Sequence, residues 1–144
     1  MILDIAIIIF VLLEFSNIVI LYFKPGCKYG NGMDHFSGWD DSKKDEGSYL
    51  FSTYLVRWIA NCKAIFIFLL ILIMIYGSDL IKVWGVIITV FTIGLYYLTL
   101  YPVIRKLDKI GKIKPKGYSK TLTITISGFI AMFSLAIILH LLIE

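Results

Sequence analysis

The chain is poor in charged residues for its length. Charged side chains make up 17% of its 144 positions and hydrophobic side chains 59%, whereas a typical soluble domain has about 25% charged and roughly half apolar residues. The mean hydropathy is +0.87. This scarcity of charge excludes an ordinary soluble domain and predicts an integral membrane protein.

Cysteine and histidine are also scarce. Cys27 and Cys62 lie far apart in the sequence and fit neither a disulfide framework nor a zinc-binding spacing. His35 and His140 are expected near opposite faces of the membrane, and the acidic residues around His35 lack the spacing of a calcium-binding loop. We therefore expect no metal and no cofactor. No nucleophile–base pair or pair of catalytic carboxylates can be assembled on one side, so an enzyme is the least favoured class of function.

Four long apolar stretches account for most of the chain. A helix needs about 20 mostly apolar residues to cross roughly 30 Å of hydrocarbon, and such helices are predicted at 2–23, 48–76, 80–103 and 121–143. The short turn Gly77-Ser78-Asp79 should fold the second and third helices into a hairpin. Residues 1–144 are thus predicted to form one all-α domain, a bundle of four antiparallel transmembrane helices with loops at 24–47 and 104–120.

The basic residues are unevenly distributed, which predicts an orientation. Of the 14 Lys and Arg residues, 11 lie in the two predicted loops, Arg57 and Lys63 lie on the loop side of the second helix, and Lys82 lies at the other end. The side richer in these residues is normally cytoplasmic. Both chain ends carry only acids, Asp4 and Glu144. The expected topology is N-out and C-out with both loops in the cytoplasm, in a multi-pass protein of a bacterial or archaeal cell membrane.

The second predicted loop is strongly basic. Its cationic residues are Arg105, Lys106, Lys109, Lys112, Lys114 and Lys116. A basic residue near an anionic membrane surface contributes about 1 kcal/mol of attraction, so this loop is predicted to contact lipid headgroups. Setting the topology is the simpler interpretation of the same pattern, and nucleic-acid binding is not indicated.

Glu14 lies in the middle of the first apolar stretch. A carboxylate at that depth costs about 2.5–3.5 kcal/mol on insertion scales, so it should face protein, water or an opposite charge. Counting about 1.5 Å per residue from the loop side of each helix places polar residues of all four helices at similar levels. They are Glu14, Asn17, Tyr54, Arg57, Asn61, Lys63, Thr92, Tyr96 and Thr125. We expect a polar layer in the cytoplasmic half of the bundle, with Lys63 or Arg57 as the counter-ion of Glu14.

A four-helix chain with a glutamate in its first helix superficially resembles the small multidrug resistance transporters, in which such a glutamate exchanges protons for cationic drugs. The similarity is limited to Glu14. The long first loop and the basic residues within the second helix, which would repel a cationic substrate, set this chain apart, and no family is assigned from the sequence.

Two hypotheses for the function remain. The first is a non-enzymatic accessory or scaffold subunit, in a homo-oligomer or a larger membrane complex, whose polar layer specifies helix packing. The alternative is a small transporter or ligand-binding protein that uses Glu14 as a proton or cation site in a pocket open to the cytoplasm. A solvated cavity at Glu14 would favour the alternative, and a closely packed ion pair would favour the first.

Overall fold

A computed structural model describes residues 1–143; Glu144, used above in the charge distribution, lies outside the described residues. The helices are α1 (Ile2–Phe23), α2 (Ser37–Ser42), α3 (Glu46–Tyr76), α4 (Asp79–Gly94), α5 (Tyr96–Thr99), α6 (Tyr101–Lys109) and α7 (Tyr118–Ile143). Among the described residues, four segments are long and apolar enough to cross a membrane, namely α1, α3, α7 and the combined stretch Asp79–Lys109. The prediction of an all-helical chain with four potential membrane spans is confirmed.

Helix ends near the two connecting segments differ from the prediction. Helix α3 begins at Glu46 rather than 48, because the Asp45 side chain caps it by accepting a hydrogen bond from Ser48 N at 2.8 Å. Hydrogen bonds from the hydroxyl and the backbone N–H of Ser48 hold the pKa of the Asp45 carboxyl below its usual range. Helix α7 begins at Tyr118 rather than 121, and Asp108 accepts hydrogen bonds from Gly117 N at 2.9 Å and Ser119 N at 3.1 Å.

The third long segment extends beyond the predicted end at residue 103. Two interruptions, at Leu95 and Leu100, divide it into α4, α5 and α6, and α6 reaches Lys109. Pro102 does not terminate the segment, because it lies in the first turn of α6, where a backbone N–H has no partner within the helix. The predicted loop 104–120 therefore shrinks to the eight residues 110–117.

The main core is a single apolar cluster to which α1, α3, α4 and α7 all contribute. At its centre, the Phe10 ring packs edgewise against Phe66, Phe129 and Phe133, with centroid distances of 6.2, 5.1 and 5.2 Å. Edge-to-face contacts of this kind are the favoured arrangement of aromatic pairs. One aromatic side chain of α1 thus ties together α3 and α7.

The segments 24–45 and 110–117 lie together at one end of the molecule, here called the loop end. The rings of His35 and Tyr118 stack at 4.0 Å, and His35 O accepts a hydrogen bond from Lys114 N at 2.8 Å. Phe36 and Ile113 form an isolated antiparallel β-bridge. The first connecting segment, predicted only as a loop at 24–47, is folded against the second.

Trp39 of α2 anchors this folded segment to the long helices. It is buried in a second apolar cluster with Leu21 of α1 and Val56 and Ala60 of α3. At the opposite end of the molecule, Lys82 of α4 forms a 2.7 Å ion pair with Asp4 of α1. The first long helix is therefore held at both ends by contacts that are distant in sequence.

Candidate functional site

Glu14 and Lys63 form an ion pair between α1 and α3. Lys63 Nζ lies 2.6 Å from Glu14 Oε2, and the two side chains are 27% and 13% exposed, respectively. Of the two predicted counter-ions, the structure therefore selects Lys63, the one expected at the same level along its helix. Both charges lie close together in a largely apolar environment.

The ion pair lies on the wall of a partly open cavity of about 350 Å³, here called the Glu14 cavity. Phe10, Phe66 and Phe129 supply much of its apolar wall. Its remaining polar groups are Asn31 of the first connecting segment, Thr92 of α4, and Tyr96 and Thr99 of α5. The interruptions in the third long segment contribute to it directly, since Leu95 and Leu100 are lining residues.

A second cavity of about 280 Å³, the side cavity, adjoins the first between α1 and α7. It also contains Glu14 and Asn31, and it adds polar side chains of α1 and α7, among them Asn17 and Thr125. Asn17 Oδ1 accepts a hydrogen bond from Asn31 N at 3.3 Å. Through this bond the first connecting segment closes part of both cavities.

Six of the nine predicted layer residues thus surround the two cavities. Glu14, Lys63, Thr92 and Tyr96 line the Glu14 cavity, and Asn17 and Thr125 line the side cavity. The hydroxyl of Tyr96 lies 3.1 Å from Thr123 Oγ1, and Thr125 Oγ1 donates to Thr121 O at 3.2 Å. These hydroxyls have partners on the protein, whereas Thr92 Oγ1 has none among the described residues.

The other three predicted layer residues, Tyr54, Arg57 and Asn61, lie elsewhere. Their spacing does place them on one face of α3, but that face is exposed and lines a separate groove. The inward face of α3 carries Ala60 and Ile67 instead. Helical spacing identifies which residues share a face, but it does not say which face meets the other helices. Asn61 still contacts α1, because Tyr22 donates a hydrogen bond from its hydroxyl to Asn61 Oδ1.

Asn31 is the main cavity residue that sequence reasoning missed. It lies in Gly30-Asn31-Gly32, a stretch whose glycines indicate only turns. A lone polar residue in such a turn gives no signal that the segment folds back over a site. The role of Phe129 in the cavity wall could not be predicted either, because it is an apolar residue within an apolar helix.

The basic residues predicted to contact lipid lie at the loop end and are all exposed. Arg105, Lys106 and Lys109 are on α6, and Lys112, Lys114 and Lys116 are on the segment that follows. Arg105 lies over the Tyr101 ring, 5.9 Å from its centroid. Lys112 approaches Asp41 at 3.8 Å.

Comparisons with known proteins supply no assignment. No protein-family model matches the chain, and neither the curated proteins nor the solved structures give a significant match. The function is therefore inferred from the cavities and the charges around them.

Proposed function

We propose that the four apolar segments cross a membrane as an antiparallel bundle, with both chain termini outside and the loop end in the cytoplasm. The positive-inside rule supports this orientation, since all Lys and Arg residues except Lys82 belong to the loop-side half. The pairing of Lys82 with Asp4 offsets the one basic charge at the other end. A bacterial or archaeal cell membrane is the proposed location.

We further propose that the protein is not an enzyme and binds an amphipathic ligand in the Glu14 cavity. The observation that carries this proposal is that the Glu14–Lys63 pair lies on a cavity wall instead of being enclosed by packed side chains. Ligand pockets typically measure about 300–1,000 Å³ and combine apolar walls with a few polar groups. A cavity of about 350 Å³ with three phenylalanines and one ion pair fits that description.

The pair offers a ligand both kinds of electrostatic partner. Glu14 accepts hydrogen bonds, the Lys63 ammonium donates them, and Asn31 lines the same cavity. The apolar part of the ligand would lie against Phe10, Phe66 and Phe129. A polar group that bonds to Glu14 and Lys63 together would keep both charges solvated, which lowers the cost of holding them inside the membrane.

The test is to fill the cavity with a side chain. Thr92→Trp places a large ring in the Glu14 cavity, and Leu98→Trp makes a comparable change on the same segment at a 76% exposed position. Binding of two pyrene-labelled dodecyl probes, one with a carboxylate and one with an ammonium head, would be measured by fluorescence in detergent. We expect the first variant to weaken at least one probe about tenfold or more, and the control to match wild type. Equal binding by all three proteins would overturn the proposal.

The accessory or scaffold role is the second candidate. It is favoured by the short contact between Glu14 and Lys63, in which the two opposite charges compensate each other without a ligand, and by interhelical hydrogen bonds such as Tyr97–Ser127 at 2.6 Å. Such bonds in membrane helices contribute about 0.6–2 kcal/mol each. For this role, Glu14→Gln combined with Lys63→Met should leave the fold and any homo-oligomer or larger complex intact by chemical crosslinking. Loss of the complex with the fold retained would assign recognition to this layer.

A further inference from the structure

Arg57 is an exposed cation on the outer face of α3. It forms no ion pair or hydrogen bond within residues 1–143, and the only walls of its groove are side chains of α3 itself. The other charged side chain in the apolar part of this helix, Lys63, forms an ion pair with Glu14. An arginine left without a protein partner on a membrane-facing surface needs a partner from outside the chain.

The level of Arg57 along α3 identifies the region of the membrane that it would face. Nineteen residues separate it from Tyr76 at the end of the helix, or about 28 Å at 1.5 Å per residue. The hydrocarbon layer is about 30 Å thick. On the proposed membrane insertion, Arg57 therefore lies at the cytoplasmic boundary of the hydrocarbon, where lipid phosphate groups are found.

The groove around Arg57 provides donors and aromatic surface. It has a volume of about 280 Å³, and the stacked rings of Tyr54 and Trp58, with centroids 6.4 Å apart, form one part of it. Asn61 accepts from Tyr22 through its carbonyl oxygen, which leaves the amide N–H groups as donors. Among the described residues, no carboxylate lines the groove. Tyrosine and tryptophan are characteristic of the membrane interface.

We propose that this groove binds the headgroup of an anionic phospholipid. The guanidinium of Arg57 would donate to the phosphate, with a further bond from the Asn61 amide, and planar guanidinium groups match phosphate geometry well. The acyl chains would follow α3 towards Tyr76, past exposed apolar residues such as Ile65 and Phe68. This site is separate from the Glu14 cavity and from the basic residues of α6 and the segment after it.

The test measures lipid binding by native mass spectrometry of the detergent-purified protein. Wild type is titrated with dioleoyl phosphatidylglycerol, dioleoyl phosphatidylcholine and soluble glycerol phosphate. Arg57→Gln is compared with Lys28→Gln, which removes one positive charge from another exposed side chain beside an aromatic ring. Because Arg57 is exposed and has no partner among residues 1–143, its replacement should not impair folding, which thermal unfolding in phosphatidylcholine micelles would verify.

We expect wild type to prefer phosphatidylglycerol, and Arg57→Gln to weaken that binding about tenfold, as expected for loss of one charge-assisted hydrogen bond. Lys28→Gln should change it less than twofold, and glycerol phosphate should not compete at equal concentration. Equal losses in the two variants would overturn the site, because the binding would then be general charge attraction. Equal affinity for both lipids, competition by glycerol phosphate, or a change in oligomeric state on replacing Arg57 would likewise contradict it.

Discussion

At the scale of individual residues, Glu14 and Lys63 are charged side chains in a largely apolar environment. The free-energy cost of removing these charges from water is offset by their pairing. Taking two charges out of water costs several kcal/mol per ion, and a close contact recovers most of that cost. The contact here measures 2.6 Å, with Glu14 the more buried partner. Removing one partner therefore leaves the other without compensation, whereas removing both replaces the pair by neutral side chains of similar size.

At this scale we predict that Glu14→Gln destabilises the protein by up to about 3 kcal/mol, the lower end of the range for broken buried pairs, because Lys63 keeps some solvent access. Adding Lys63→Met should recover more than half of that loss. Unfolding in mixed micelles with increasing denaturing detergent would measure both. As a control, Asp40→Asn breaks the ion pair of Asp40 on α2 with Lys43, in which both partners are about half exposed, and should have almost no effect. Additive losses in the double variant would contradict the coupling.

The position of Glu14 and Lys63 could be predicted from the sequence, whereas that of Arg57 could not. Counting residues along two helices was enough to bring Glu14 and Lys63 to one level, since the rise per residue of a helix is fixed. The same counting placed Arg57 at a reachable depth, but it could not show that Arg57 lies on the exposed face of α3. Which face of a helix points to the other helices depends on the neighbours that pack against it. The residues near Arg57 in the sequence do not show whether its face of α3 points to those helices or outwards.

At the scale of elements, the long helices followed from length and hydropathy, but the connecting segments did not. Their structure depends on contacts between residues far apart in the sequence, such as the stacking of His35 on Tyr118. No local sequence pattern predicts such a contact. The first residues of α3 and α7, Glu46 and Tyr118, also depend on side-chain contacts. Asp45 and Asp108 accept hydrogen bonds from N–H groups at these helix ends that would otherwise lack partners.

Gly32 is the position where this folded segment is most restricted. A Cβ added there would lie 1.8 Å from Cys27 O, so the backbone would have to move, whereas a Cβ at Gly38 meets no atom within 4 Å. We predict that Gly32→Ala increases amide hydrogen exchange across 25–36 at least tenfold, because the segment loses its fit against the second connecting segment. Gly38→Ala is the matched control and should leave exchange unchanged. Equal protection in both variants would show that the segment is not held by this close approach.

At the scale of the whole molecule, the two ends differ sharply in charge. The loop end carries the exposed cations of α6 and of 110–117, and the opposite end has Lys82 neutralised by Asp4. Since positive loops resist translocation, the loop end should stay in the cytoplasm. The charge difference comes from residues on separate segments that the fold brings together, so a single substitution should not invert the protein.

The proposed orientation predicts which positions are reachable from outside the cell. Starting from a Cys27→Ser, Cys62→Ser background, Ser78→Cys should react with a membrane-impermeant maleimide in intact cells, because it lies in the short turn between α3 and α4. Lys112→Cys should react only in inverted vesicles. Both positions are exposed, so a difference in labelling reports the side of the membrane and not burial. Labelling of Lys112→Cys in intact cells would show that the orientation is the reverse of the one proposed. The proposed phosphate groove of Arg57 would then face the outer leaflet, and the proposal for the Glu14 cavity would be unaffected.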